Sequence, residues 1–549
     1  MSPLNMKKSF AVSRLLPVAF ISAAVLLLAP AVQAAVPGIK GTTFNLVASP
    51  AFITQPDGNF VYSWGYGCST PPAAAAFAPA GVSGAASCST MQIPGPTLIV
   101  QAPVSGVATV TINLTNTLPA AAGNTSILFP GFAVATSGGV AGLLTQEAVP
   151  CSTSPCVPTA TNTVTYTLTI PSTAAGTHAY YSGTQGDLQI DMGLYGAIVV
   201  LPSAVPAACT SGVHASNVAA QGSWSESDNR LAAAAYNHPG ACYDREYLFQ
   251  FSEMDLRLHQ ETEEQVTAKN GCTVGAAGCN LNVATEPYDP TYFMINGRSM
   301  PDNMDPAYVA QYPHQPYNGN PHMHPGELTL LRVIGTGRWQ HPFHEHGNHV
   351  RILARDGNLI LSQTDPANNL AGPLLFTTTT TPGLAMDGIF YWTGKGVNWD
   401  LYGHNPASTD ASAKLPCVAD ANGYNTGAPT AINYFEWCQD HNKPLQKAPY
   451  GDLPSGGPVT LPEPTLFANG AWFGGSPYLG PDATKRAVGS TGTTPPSGTV
   501  ANSPSDEAGF AFMWHSHNER EITTNNIFPG GMLMMMLVDS REFVIDETK

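Results

Sequence analysis

Short stretches in which apolar and polar residues alternate recur along this chain. Thr163-Val-Thr-Tyr-Thr-Leu-Thr169 alternates strictly, as a strand with one buried face does. Thr97–Gln101 and Ala108–Asn113 are rich in β-branched residues, and Gly193–Leu201 is an apolar run of strand length. The spacing of strands and turns from Thr42 to Leu201 predicts a β-sandwich. A connector with Pro202, Pro206 and Cys209 follows. A second block opens near Cys242, with strands predicted at Tyr247–Ser252, Phe293–Gly297, Gly326–Gly335, His349–Arg355, Phe510–Met513 and Met532–Val538. Between Thr364 and Ser505 lies a stretch rich in Gly, Pro, Asn and Thr, far longer than an ordinary connection, which reads as an insertion. The predicted organisation is all-β: a first domain over 41–202, a connector over 203–241, and a second domain over 242–541 that holds the insertion at about 364–505. No internal repeat is evident.

Composition agrees with strands rather than long helices. Of 549 residues, 53 are Gly and 48 Pro, and only 11% are charged, which leaves little Glu and Lys for amphipathic helices. With 43% hydrophobic residues the chain is not of the disordered class. Residues 1–34 read as a secretory signal: Lys7, Lys8 and Arg14, then an apolar run from Leu15 to about Ala31, then small residues with a cleavage site after Ala34. No twin-arginine pair is present, so the reading is general export to the periplasm or the extracellular space, with no stable membrane span after cleavage. Removing that segment takes away three positive charges and no acid, so the net charge moves from −16 to −19. Such a balance excludes nucleic acid and anionic membranes as partners and suits cationic substrates or metal ions; solubility outside the cell is the plainer explanation. The ten cysteines fall into neighbouring couples, Cys68/Cys88, Cys151/Cys156, Cys209/Cys242, Cys272/Cys279 and Cys417/Cys438. An even count in an exported chain implies disulfides, and consecutive pairing is the simplest connectivity.

Candidate chemistry is concentrated in two segments, His341-Pro-Phe-His344-Glu-His346-Gly-Asn-His349 and His515-Ser516-His517. Residues two apart on a strand face the same side, so His344 pairs with His346 and His515 with His517. If the strands are neighbours, four imidazoles converge. Such a set suits copper first, then zinc, iron or nickel. The alternative is a set of histidines satisfied by ordinary hydrogen bonds. His314, His322 and His324 in a Pro-rich loop offer an accessory site or chance surface histidines. Glu519, Arg520 and Glu521 follow the cluster; the two acids are candidates for acid–base work or for orienting ligands, against a solvated or mutually paired trio. The run Met534–Met536 reads as a core strand.

These motifs resemble those of the multicopper oxidases. His341-Pro-Phe-His-Glu-His-Gly347 with Val350–Gly357 resembles that family's third copper motif, and Trp514-His-Ser-His517 with Gly531 and Met532 the fourth. Pro94–Thr97, Gly193–Gly196 and Ile295–Gly297 resemble the family's domain starts and ends. The resemblance implies two cupredoxin-like Greek-key β-sandwiches, because too little chain separates Gly196 from His341 for a middle domain. The surrounding sequence is similar to bacterial homologues described as manganese oxidases. Two-domain members form trimers with metal at subunit boundaries, so a homo-oligomer is the expectation by resemblance.

Departures from the family pattern restrict the chemistry. The first and second motifs have lost their histidines, with Thr125–Pro130 and Gly176–Gly183 in their places. In the fourth motif Ser516 stands where the cysteine belongs, and Glu521 where a histidine belongs. A blue-copper site needs a thiolate and two imidazoles. Only His341, with Met532 as the soft axial donor, remains of it here. The implied metal ligands are therefore His344, His346, His515 and His517, with His341 and Met532 as weaker candidates. The reading leans to an exported copper-binding oxidoreductase without a blue-copper centre, acting on a small molecule or a metal ion. The alternative is a copper-binding or structural cupredoxin protein without catalysis.

Overall fold

The computed structural model describes residues 36–79, 88–395, 418–431, 433–439, 475–479, 500–501, 508–539, 541 and 543–545. The segment read as a signal, Cys417 and most of the stretch between residues 396 and 507 lie outside the described residues.

Strands dominate, and they pair into four main sheets forming two sandwiches. In the first, one five-stranded sheet runs Gly176–Tyr181, Tyr195–Leu201, Leu98–Gln101, Gly38–Lys40, Phe77–Ala78. The other runs Phe60–Cys68, Thr43–Thr54, Val107–Asn116, Thr163–Pro171, Ala133–Gly138. The chain passes repeatedly from one sheet to the other, and both sheets mix parallel with antiparallel neighbours, as in the pairings Ile198↔Leu98 and Leu168↔Val110. This is the crossed-over arrangement of a Greek-key, cupredoxin-like sandwich. Alternation does its work on Thr163–Pro171: Val164, Tyr166, Leu168 and Ile170 are buried against Trp64, Leu98 and Ile112.

The second sandwich pairs two seven-stranded sheets. The main path of one runs Tyr292–Ile295, Arg245–Met254, Leu328–Gly335, Ala385–Tyr391, Val350–Arg355, Asn358–Leu359. That of the other runs His322–Met323, Leu533–Asp539, Ala508–Ser516, His341–Glu345, Thr377–Thr380. Phe249, Phe251, Phe343, Trp514, Met532, Met534 and Met536 fill the space between them. Ala385–Tyr391 is a central strand, although it falls within the stretch read as an insertion, so sheet structure continues well past Thr364.

Where the sandwiches meet, Ala197 and Val199 pack with Leu248, Ile334 and Ala385. The seam also holds buried charge. Asp387 accepts hydrogen bonds from Thr177 Oγ1 at 2.6 Å and Tyr236 Oη at 2.5 Å, and Arg332 donates to Glu246 at 3.0 Å. Two longer helices break the all-strand expectation locally. Gly212–Ser223 lies in the connector. Leu256–Ala268 begins at Asp255, whose side chain caps the Arg257 amide, and buries Leu258, His259 and Thr262. Four disulfides follow the consecutive pairing: Cys68–Cys88, Cys151–Cys156, Cys209–Cys242 and Cys272–Cys279.

Candidate metal centre

The site is built by two antiparallel strands, His341–Glu345 and Ala508–Ser516, in a register that sets His344 opposite His515. Phe343 and Trp514 turn inward, with ring centroids 6.1 Å apart, and this anchors both strands. The intervening positions then project the histidines away from the core. Directly opposed residues on one face approach within about 5 Å at Cβ, close enough for two imidazoles to share an ion. His346 and His517 lie just past the strand ends. The Trp514 indole donates to the His346 carbonyl at 2.8 Å, and the His517 amide donates to the Pro342 carbonyl at 2.8 Å, which fixes both extensions. Gly347 then turns the chain with φ +99°; a Cβ there would meet the Phe512 ring at 3.0 Å, so two constraints select glycine.

His344, His346 and His515 each offer a ring nitrogen, and these nitrogens lie within 4.8 Å of one another. The Nε2 atoms of His346 and His515 are 3.3 Å apart. His515 Nδ1 donates to the Ser516 carbonyl at 2.7 Å, a bond that assigns the proton to Nδ1 and directs the Nε2 lone pair towards His346. His344 Nδ1 lies 2.7 Å from Thr377 Oγ1. The ring of His517 is exposed; its centroid is 4.9 Å from that of His344 and 5.6 Å from that of His515, at the rim of the triad. Burial, reinforced by the neighbouring imidazoles, lowers the His344 pKa to about 4, and burial lowers that of His515. Both rings are neutral at physiological pH, the form that ligates metal.

This donor set fits a copper ion. Two donors at about 2 Å from one ion stand roughly 3–4 Å apart. The 3.3 Å pair meets that spacing, and the remaining separations, all within 4.8 Å, close with a small side-chain movement. Among the described residues no other group of three or more metal-type donors converges in this way.

The remaining candidates lie elsewhere. His341 is fully buried between two carboxylates, with Nε2 2.9 Å from Glu253 and Nδ1 2.9 Å from Glu521. Met532 packs into the core of the sandwich. Glu519 is exposed, whereas Glu521 is buried and accepts from Ser516 Oγ at 2.5 Å and Asn518 Nδ2 at 2.8 Å. Of the three histidines of the Pro-rich loop, His314 contacts the Met91 carbonyl, whereas His322 and His324 both reach Asp539, the first its carboxylate and the second its carbonyl, and His324 also meets Glu226. In the first sandwich, His178 packs on Phe132, and its Nε2 lies 3.3 Å from the Ala174 carbonyl.

Comparison with known proteins gives little beyond this geometry. No protein-family model matches the chain, and no curated protein matches it. Solved structures similar to it are multicopper oxidases and copper nitrite reductases. A blue copper oxidase from Nitrosomonas europaea is 12% identical over 90% of this chain and 85% of that one, with a TM-score of 0.40. The multicopper oxidase mgLAC is 12% identical over 92% and 87%, also with a TM-score of 0.40. A copper nitrite reductase from Nitrosomonas europaea is 14% identical over 64% and 84%, with a TM-score of 0.33. The all-β fold rests on the chain's own sheets.

Sequence reasoning missed Glu253 and Thr377, which hold His341 and His344. Glu253 did leave a signal: it follows Phe249 and Phe251 at strand spacing, so a charge occupies an inward-facing position. Thr377 lies in a run of threonines and leaves none.

Proposed function

We propose that this chain is an exported copper protein of multicopper-oxidase type, with His344, His346, His515 and His517 holding copper as an oxidoreductase site. The observation that carries the reading is the convergence of three imidazoles within 4.8 Å, with the His515 lone pair directed at His346. Copper held there would supply one-electron redox chemistry. The chain's own residues do the rest. Thr377 and the Ser516 carbonyl orient two rings, and Trp514 holds the backbone of a third. The exposed His517 and Glu519 leave one side of the site open, so a small molecule or metal ion reaches it directly and Glu519 can accept a proton. Four disulfides support maturation in an oxidising compartment, and no helix among the described residues is long and apolar enough to cross a membrane. Two cupredoxin-like domains, over about 41–202 and 242–541, are part of the same reading.

A second reading, copper binding without turnover, is favoured by the first sandwich. There His178 is engaged with Phe132 and the Ala174 carbonyl, and the positions of the other motif hold Leu128 and Phe129. Copper content, electron paramagnetic resonance and oxygen uptake with a reductant, measured on exported wild type and on a His344→Ala/His515→Ala variant, test both readings. Stoichiometric copper lost in the variant supports the site, and reductant-dependent oxygen uptake selects the oxidoreductase. Equal metal in both proteins overturns the site.

A further inference from the structure

The strand end that carries His515 and His517 is tied to a second cluster, closed and buried. Glu521 Oε2 lies 2.5 Å from Ser516 Oγ and 2.9 Å from His341 Nδ1, the latter off the ideal hydrogen-bond line and so a charge contact. On the other side of the ring, His341 Nε2 meets Glu253 Oε2 at 2.9 Å. The second Glu253 oxygen accepts from the Trp339 amide at 2.7 Å and Tyr288 Oη at 3.3 Å. Met532 joins through its backbone: its amide donates to the Glu521 carbonyl at 2.8 Å, and its carbonyl accepts from the Ser516 amide at 2.9 Å. His341, Ser516, Glu521 and Met532 are at most 1% exposed.

These are the four positions at which the sequence resembles a blue-copper site, and the structure brings them together. Their donors do not fit that metal. An imidazole with a carboxylate oxygen against each nitrogen is best satisfied carrying both protons, and an imidazolium has no lone pair for a metal. A serine hydroxyl and a carboxylate are hard donors where copper of that type needs a thiolate and a second imidazole.

We propose that this pocket is a metal-free charge clasp, in which the His341 ring, cationic between Glu253 and Glu521, takes the place of a bound metal ion and positions the strand end bearing His515 and His517. Glu521 joins His341, Ser516 and Asn518 around one carboxylate, so it links the start of one histidine-bearing strand to the end of the other. His341, Glu253 and Glu521 are positioning residues. The effect on copper affinity rests on the function proposed above; the absence of metal from the clasp does not.

The test is copper titration of the full exported chain, with stoichiometry, visible absorption and electron paramagnetic resonance, for wild type, His341→Gln, S516C and S516C/E521H. Wild type and His341→Gln should bind the same number of ions. The variant should do so about ten-fold more weakly and with a shifted copper spectrum, a change that mere loss of stability would not produce. S516C alone should gain no thiolate-to-copper absorption, because Glu521 still occupies His341. S516C/E521H, which restores a thiolate and a second imidazole, should gain one ion and the blue absorption. Loss of one equivalent in His341→Gln, or blue colour in S516C alone, overturns the clasp. If the double variant does not fold, the stoichiometry of His341→Gln decides. If wild type binds no copper, the proposed function falls, and gain of blue copper in S516C/E521H alone still supports the clasp.

Discussion

Replacing His341 should cost stability in a way that depends on pH, and the structure sets both size and sign. Burial by itself pulls the His341 pKa down, but the contacts to Glu253 and Glu521 carry it up to about 9 from the ordinary 6.5. At about 1.4 kcal/mol per pH unit, that difference amounts to about 3 kcal/mol of stability from the protonated ring. The folded-state pKa lies above the unfolded one. The contribution is therefore fully present below about pH 6.5 and is lost as the pH rises through about 9. His341→Gln removes the charge while leaving a side chain of similar reach. The assay is urea unfolding of copper-free wild type and variant, followed by tryptophan fluorescence from about pH 6 to about pH 10. The stability gap between them should be largest at the acid end and shrink by about 3 kcal/mol towards pH 10. Using the difference cancels the titration of other groups common to both proteins. Tyr288, the other titratable group on Glu253, stays protonated over this range because burial and the Asp191 and Glu253 charges raise its pKa well above 10. A gap that is the same at every pH would refute the cationic ring between two carboxylates.

Thr377→Val removes the hydroxyl 2.7 Å from His344 Nδ1; copper affinity should fall about ten-fold by calorimetric titration, with the circular dichroism spectrum unchanged. Glu345→Gln should stabilise the protein by about 2–3 kcal/mol at pH 7 in urea unfolding. Burial raises the Glu345 pKa from 4.5 to about 8, so the folded chain holds a neutral acid whose ionisation favours unfolding as pH rises through that interval. Asp387→Ala leaves Thr177 and Tyr236 without their acceptor and takes one carboxylate from Arg332; it should cost about 3 kcal/mol or more, read as a lower thermal midpoint and faster proteolysis between the sandwiches.

Features set by local pattern were legible in the sequence, and those set by distant partners were not. The alternation of Thr163–Thr169 marked its strand, and two His-x-His pairs on strand-like segments located three side chains that do converge. The strand Ala385–Tyr391 was hidden because Asp387 and Gly388 interrupt its apolar run. Asp387 is tolerable there only because Thr177, Tyr236 and Arg332 meet it from elements far away in the chain. The helix Leu256–Ala268 was legible and was missed: its Leu, Arg, Gln and Glu residues are good helix formers, and Asp255 ahead of Leu258, His259 and Thr262 carries a capping and spacing signal.

The departures at Ser516 and Glu521 show the same limit from the other side. Read along the chain, they are two separate departures from a resemblance. In space they form one unit with His341. A buried His341 with neither metal nor anion beside it would lose its charge to desolvation. A buried Glu521 with neither His341 nor Ser516 would keep only Asn518 as a partner and be a carboxylate without a compensating charge, which costs several kcal/mol. Each residue makes the other tolerable, and Glu253, 88 positions from His341, completes the pairing. The Glu521 carboxylate holds Ser516 in place, and through it the register in which His515 faces His344.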